Sequence, residues 1–411
     1  MTALKKLSGR AISMASAIQG IKSLVTLCTL VLISACATDS SVGKVANTEV
    51  KKTRESTVQH AVGSLRFIGE QRIPLKAIYA DTVVGGLSGI DYDARTETWI
   101  LESDDRSEYS PARFYTARLN YDQHAFTSVS LTGVHFFKQA NGKNYPDAKL
   151  FEKEGGEVAD IESIRFDPLD DSVWYASEGS RKLGLNPFIR QARRDGSYLY
   201  TLPTPAMLNV SPNAETGSRN NLSFEGLSFS PDGKYIWLGM ETALYQDGPV
   251  ATVDKGAVSR ITRFDRKGKV FEQYAYPLDP IQAVAAPGRF SDNGLSEILA
   301  INEHQLFVLE RSGVQDAAGV FKFYIRLYEM DIHGATDIKD IASLKNAKYV
   351  PVQKRLVLNL NEAGLPKIDN IEGIAWGRKL PNGHDTIVLV SDDNFDQTQV
   401  TQLLVFEVLP K

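Results

Sequence analysis

From about residue 60 to the C-terminus, apolar positions fall in short alternating or continuous runs bounded by Gly, Pro, Asp and Asn. No stretch there carries the three-to-four residue periodicity of a long amphipathic helix. The runs repeat. Leu87-Ser-Gly-Ile-Asp-Tyr92, Ile161-Glu-Ser-Ile-Arg-Phe166, Phe224-Glu-Gly-Leu-Ser-Phe229, Leu295-Ser-Glu-Ile-Leu-Ala300 and Ile371-Glu-Gly-Ile-Ala-Trp376 share one pattern and each predicts the start of a strand. Each is followed by a turn, such as Asp167–Asp171 or Ser230–Lys234, and then by a second apolar strand: Trp99–Leu101, Val173–Ala176, Ile236–Gly239, Leu306–Leu309 and Ile387–Val390.

Third strands are predicted at Phe114–Asn120, Ile189–Arg194, Ile261–Arg266, Tyr324–Asp331 and Gln402–Val408, and fourth strands at positions such as Ser197–Leu202 and Phe271–Leu278. Recurrent four-stranded antiparallel units predict an all-β fold, a β-propeller with its blades around a channel. The repeats recur every 63 to 76 residues, more than the roughly 40–50 of compact blades, so long loops are expected. Five blades is the count, with a sixth, degenerate blade as the alternative. The last repeat stops after its third strand, and the unassigned Ser64–Leu75 is expected to supply the fourth and close the ring.

Ahead of the repeats, Met1–Ala35 holds four basic residues and no acid, with a 13-residue apolar core at Ser23–Ala35, too short to span a bilayer. Leu32-Ile-Ser-Ala-Cys36 resembles a bacterial lipobox, which makes residues 1–35 a lipoprotein signal peptide and Cys36 the lipidated residue; Met14 is an alternative start. A secretory peptide with an unrelated cysteine is the competing reading. Residues 36–59 are polar and aperiodic, a flexible tether to a propeller domain at 60–411. The non-acidic Ala37 favours the outer membrane, at its periplasmic face or the cell surface. Cys28 lies inside the leader, so no intramolecular disulfide is expected.

Of the 411 residues 23% are charged, with a net charge of −4, which becomes −8 once residues 1–35 are set aside. That balance disfavours nucleic acid as a partner, because phosphate binding rests on clustered Lys and Arg. Nothing in the pattern calls for a second subunit, and a monomer held to the membrane only through its lipid is expected.

The candidate chemistry comes from the repeat itself. Every second strand leads to an acid, Asp104, Glu178, Glu241, Glu310 or Asp392, and three of the five repeat openings carry Glu162, Glu225 and Glu372. The start of a first strand and the end of a second lie at the same rim of a blade, so these eight carboxylates are expected around one channel mouth. Like charges so gathered repel unless cations sit among them or protons remain bound. Hard divalent ions, above all Ca²⁺, fit all-oxygen ligands. The plainer alternative is that such acids cap backbone N–H groups at turns. Arg106, Arg181 and Lys182 follow strand-end acids and are candidates for holding an anionic substrate; Arg311 follows Glu310 directly. No Gly-x-Ser-x-Gly elbow, zinc-type His pair or phosphate-cradling loop occurs.

The segments Gly85–Ile90, Asp160-Ile-Glu162-Ser-Ile with Tyr175-Ala-Ser-Glu178-Gly, Asn221–Leu227, and Asn370-Ile-Glu372-Gly-Ile with Leu389–Asn394 resemble the family called esterase-like activity of phytase, over residues 64–408. The resemblance implies a propeller hydrolase of phosphate or other esters. By analogy with β-propeller phytases it implies calcium held by Glu162, Glu178, Glu225, Glu241 and Glu372. On this basis a metal-dependent ester hydrolase is expected, acting on a small anionic ester with Glu225 and Glu372 as catalytic residues. A non-catalytic, calcium-stabilised platform for an envelope protein or glycan is the alternative.

Overall fold

The computed structural model describes residues 59–411; the signal peptide, Cys36 and nearly all of the expected tether lie outside the described residues. Twenty of the strands form five four-stranded antiparallel sheets. Blade 1 runs Ile90–Asp93, Thr98–Ser103, Arg113–Tyr121 and Phe126–Phe136; blade 2 runs Ile161–Phe166, Ser172–Ser177, Phe188–Arg193 and Tyr198–Leu202. Blade 3 comprises Phe224–Phe229, Tyr235–Met240, Val258–Asp265 and Val270–Pro277, and blade 4 Ser291–Ala300, Gln305–Gln315, Phe321–Asp331 and Gln353–Asn359. Blade 5 takes Asn370–Trp376, Thr386–Asp392 and Thr401–Leu409 from the end of the chain and Ser64–Ile73 from its beginning, in register from Ser64 opposite Leu409 to Ile73 opposite Thr401. Five blades, and closure by the N-terminal strand, are as the sequence predicts.

The first strand of each blade lines the axis and packs against the first strands of the two neighbouring blades. Five apolar clusters fill the five junctions between blades, for example Ile100, Phe137, Ile164 and Tyr175 between blades 1 and 2, and Leu309, Ile325, Ile374 and Leu404 between blades 4 and 5. Each sheet is therefore buried on both faces, which is why the inner strands read as near-continuous apolar runs.

Two devices shape the axis. In blade 2, Ile161 pairs with Ser177 and Ser163 with Ala176, so Glu162 is the extra residue of a β-bulge; the same shift isolates Glu372 in blade 5 and Ser296 in blade 4. In blade 3, Glu225 and Gly226 together face one residue. A bulge re-aims a side chain, and here it marks every Glu of the repeat opening. The residue after the bulge is Gly226 or Gly373 where the strands come closest: a Cβ would lie 2.6 Å from the Ile298 nitrogen or 2.5 Å from the Ser88 oxygen.

Below that level Arg165 crosses the axis. Its guanidinium donates to the carbonyls of Leu227 (2.6 Å), Ile298 (3.1 Å) and Ile90, and pairs with Glu297 at 2.7 Å. Glu297 in turn accepts from Ser163 Oγ and the Leu227 N–H. One buried ion pair thus ties the inner strands of blades 1 to 4 and separates the two mouths of the channel.

Candidate functional site

At the mouth where the first strands begin lies a cavity of about 560 Å³. Its floor and inner wall carry Asp104, Glu162, Glu225, Glu241, Glu372 and Asp392, and Glu178 stands directly behind Glu162 and Glu225. Seven of the eight expected acids are thereby brought together.

Glu310 is not among them. In blades 2, 3 and 5 the acid follows the residue paired to the one before the repeat opening's marker: Ser177 then Glu178, Met240 then Glu241, Ser391 then Asp392. In blade 4 Leu295 pairs with Glu310 itself, so the equivalent place belongs to Arg311. Strand alternation turns Glu310 to the blade 3 side, where it accepts from Tyr276 Oη (2.7 Å) and the Asp279 N–H (2.9 Å) and pairs with Lys354. It is structural and leaves the candidate ligand set.

Arg311 instead enters the cavity, 3.1 Å from Glu241, 3.4 Å from Glu372 and 3.6 Å from Asp292. The other guanidinium in the cavity is Arg106, 2.7 Å from Asp160 and 2.9 Å from Asn221 Oδ1. Arg181 is placed elsewhere: the turn from Ser180 to Leu185 carries it to the Ala214 carbonyl and over the Tyr245 ring. Lys182 lines an adjoining recess with Arg106, Asn220 and Asn221.

Sequence reasoning missed Asp160, Asp292 and Asn370. Asp160 and Asn370 each stand two residues before a marker glutamate, a spacing visible in Asp160-Ile-Glu162 and Asn370-Ile-Glu372. Asn370 Nδ2 donates to Glu372 (2.9 Å) and Asp392 (3.2 Å), and Ser88 Oγ donates to the other oxygen of Glu372 at 2.9 Å.

Ten carboxylates, the exposed Asp396 included, therefore stand around two guanidiniums. Burial, followed by repulsion from neighbouring acids, holds Glu162, Glu225, Asp104 and Asp392 well above the usual carboxylate range. Burial raises Glu241 and Glu372 as well, with Arg311 opposing. Glu178, raised by burial and then by Asp160, is pushed up to about 8. Two groups, Asp160–Glu162–Glu178 and Glu178–Glu225–Glu241, each offer oxygens within 4.8 Å of one another. Glu178 Oε1 accepts the Ser223 N–H, while Oε2 is buried without a partner. Oxygen donors that are crowded, buried and under-partnered are what a hard divalent cation satisfies.

A family model described as esterase-like activity of phytase matches residues 82–395. No curated protein matches the chain. Among solved structures, a thermostable family-43 glycoside hydrolase is 12% identical with a TM-score of 0.38, covering 81% of this chain and 91% of its own. The catalytic domain of a Coprinopsis cinerea GH62 α-L-arabinofuranosidase is 9% identical with a TM-score of 0.38, covering 85% of this chain and 97% of its own. A glucose dehydrogenase is 13% identical with a TM-score of 0.35, covering 86% of this chain and 99% of its own. At these values none bears on the chemistry of this cavity.

Proposed function

The chain belongs to the family described as esterase-like activity of phytase, and from that premise we propose that it is a divalent-cation-dependent hydrolase, with calcium as the cofactor, of small anionic esters at the acidic mouth of its propeller. The observation that carries this reading is the excess of carboxylates, most of them buried, over the two guanidiniums around one cavity. An anion cannot approach such a surface unless cations are seated first.

The residues that would hold the ion are Asp160, Glu162, Glu178, Glu225 and Glu241, whose donor atoms are all oxygens. A bound divalent ion supplies polarisation of the ester oxygen and a lowered water pKa. The chain's own residues do the rest. Glu372, fixed by Ser88, Asn370 and Arg311, is a positioned carboxylate that holds its place beside the cavity floor. Glu225 stands among Glu162, Glu241 and Glu178, and as one of the residues that would hold the ion it would orient a water beside it. Arg106, partly exposed, presents N–H groups to an anionic head, with Lys182 in the adjoining recess.

The test is hydrolysis of a panel of phosphate and carboxylic esters, with calcium and with chelator, by the purified protein and by Glu225→Gln and Glu372→Gln. Calcium-dependent turnover lost in both variants, with melting curves retained, supports the reading. Turnover absent throughout, or undiminished in both variants, refutes it and leaves a non-catalytic binding module. Envelope attachment through Cys36 belongs to the same proposal; a Cys36→Ser protein that still fractionates with membranes would contradict it.

A further inference from the structure

Blade 4 overhangs the acidic mouth. Its first three strands have 10, 11 and 11 residues, against 6 in each of the first three strands of blade 2. The extra length carries the hairpin of Gln315 to Phe321 above the rim. The incoming segment is bound to that hairpin: Gln315 N–H donates to the Phe290 carbonyl (3.0 Å) and Phe290 N–H to Gln315 Oε1 (3.1 Å). The result is one built wall of Phe290, Phe321 and Phe323 on the cavity, with Phe290 edge-on to Phe321 at 6.2 Å and Phe321 stacked on Phe323 at 5.6 Å. Phe290 is 54% exposed although a hydrogen-bonded frame holds it in place.

Polar groups line the cavity elsewhere: Asn220, Asn221 and Arg106 on the wall and the carboxylates below. Charge is as informative as shape. Both guanidiniums lining the cavity are already engaged, Arg106 by Asp160 and Arg311 by Glu241, Asp292 and Glu372. A polyphosphorylated ligand needs several uncommitted cationic side chains, and among the described residues lining this cavity only the exposed edge of Arg106 remains, enough for one anionic group. An apolar ring or chain, by contrast, gains by covering the three phenylalanines.

We propose, resting on the reading of this site as a cation-assisted ester hydrolase, that its substrates join a single anionic group to an apolar group, the anionic end at the carboxylate floor and the apolar end against Phe290, Phe321 and Phe323. Substrates of this class are aryl or alkyl monoesters rather than polyphosphates.

Binding tests this without turnover. In millimolar calcium, titration calorimetry of the purified protein with phenylphosphonate, methylphosphonate and inositol hexakisphosphate should show phenylphosphonate bound about tenfold tighter than methylphosphonate, the scale expected from covering part of an aromatic wall. In Phe290→Ala and Phe321→Ala that ratio should fall toward one, with melting temperatures near that of the parent. A phenyl-to-methyl ratio near one in the parent protein, a ratio unmoved in both variants, or hexakisphosphate binding tighter than phenylphosphonate overturns the proposal. Failure to hydrolyse any ester refutes the hydrolase reading alone, because the phenyl preference is read from equilibrium binding.

Discussion

Removing divalent ions should make this protein less stable as the pH rises, opposite to the trend expected of a protein whose carboxylates are held by ion pairs. Glu178 in the folded chain is pushed up to about 8 by burial and then by Asp160, and Glu297 to about 7 by burial, with Arg165 opposing. A carboxyl whose folded pKa lies above its unfolded value binds more protons when folded. Its contribution is complete below pH ~4.5 and is lost as the pH climbs through the folded value. At about 1.36 kcal/mol per unit, the shift is worth on the order of 5 kcal/mol for Glu178 and 3 kcal/mol for Glu297, a large share of the roughly 5–15 kcal/mol that holds a domain together. Asp93 and Asp385, lowered to about 2, act in the opposite sense only below pH ~4, outside this window. Chelated protein followed by calorimetry from pH 5 to 8 should therefore lose several degrees of melting temperature. Calcium needs ionised ligands, so it should restore little at pH 5 and much at pH 8, about 2.7 kcal/mol per site at a hundredfold excess over Kd. A melting temperature flat or rising from pH 5 to 8 without ions, or a calcium effect equal at both ends, would refute the reasoning.

Arg165→Met should cost about 3–5 kcal/mol in denaturant unfolding, since it strands Glu297 and three carbonyls in the dry axis, and adding Glu297→Gln should recover part of that loss; additive losses would show that the pair is uncoupled. Gly226→Ala places a Cβ 2.6 Å from the Ile298 backbone nitrogen and should lower stability by about 1–3 kcal/mol, so unchanged unfolding would mean that the inner strands are not held that close. Deleting Ser64–Ile73 leaves the outer edge of the third strand of blade 5 unpaired, and the product should aggregate or lose cooperative melting.

The ring of blades was legible because each first strand carries the same six-residue pattern and each second strand has an apolar run at its centre, and burial on both faces enforces such patterns. The site was only partly so. The repeat openings Glu162, Glu225 and Glu372 read correctly as neighbours, yet whether a side chain reaches the axis is decided by the bulge, and bulges leave no mark in apolar periodicity. The hairpin of blade 4 is one residue shorter than those of blades 1 to 3, so the place across from the opening falls 15 residues after Ser296, on Arg311, and Glu310 one residue earlier faces the other way. Arg181 sits in a tight turn whose direction follows from its closing contact with Leu185, not from distance along the chain. The short helix Ala148–Glu154, capped by Asp147, has no buried residue and so no apolar stripe to announce it.

The strand that completes blade 5 is made first and finds its partner only when the last one has been made. A nascent chain that ends before blade 5 lacks one side of the circle, and with it the 2.9 Å hydrogen bond from Ser88, just ahead of blade 1, to Glu372 of blade 5. The acidic cavity is therefore a property of the finished circle rather than of any arc of it. A chain cut short before blade 5 should keep the carboxylates of blades 1 to 4 and still lack the closed cavity.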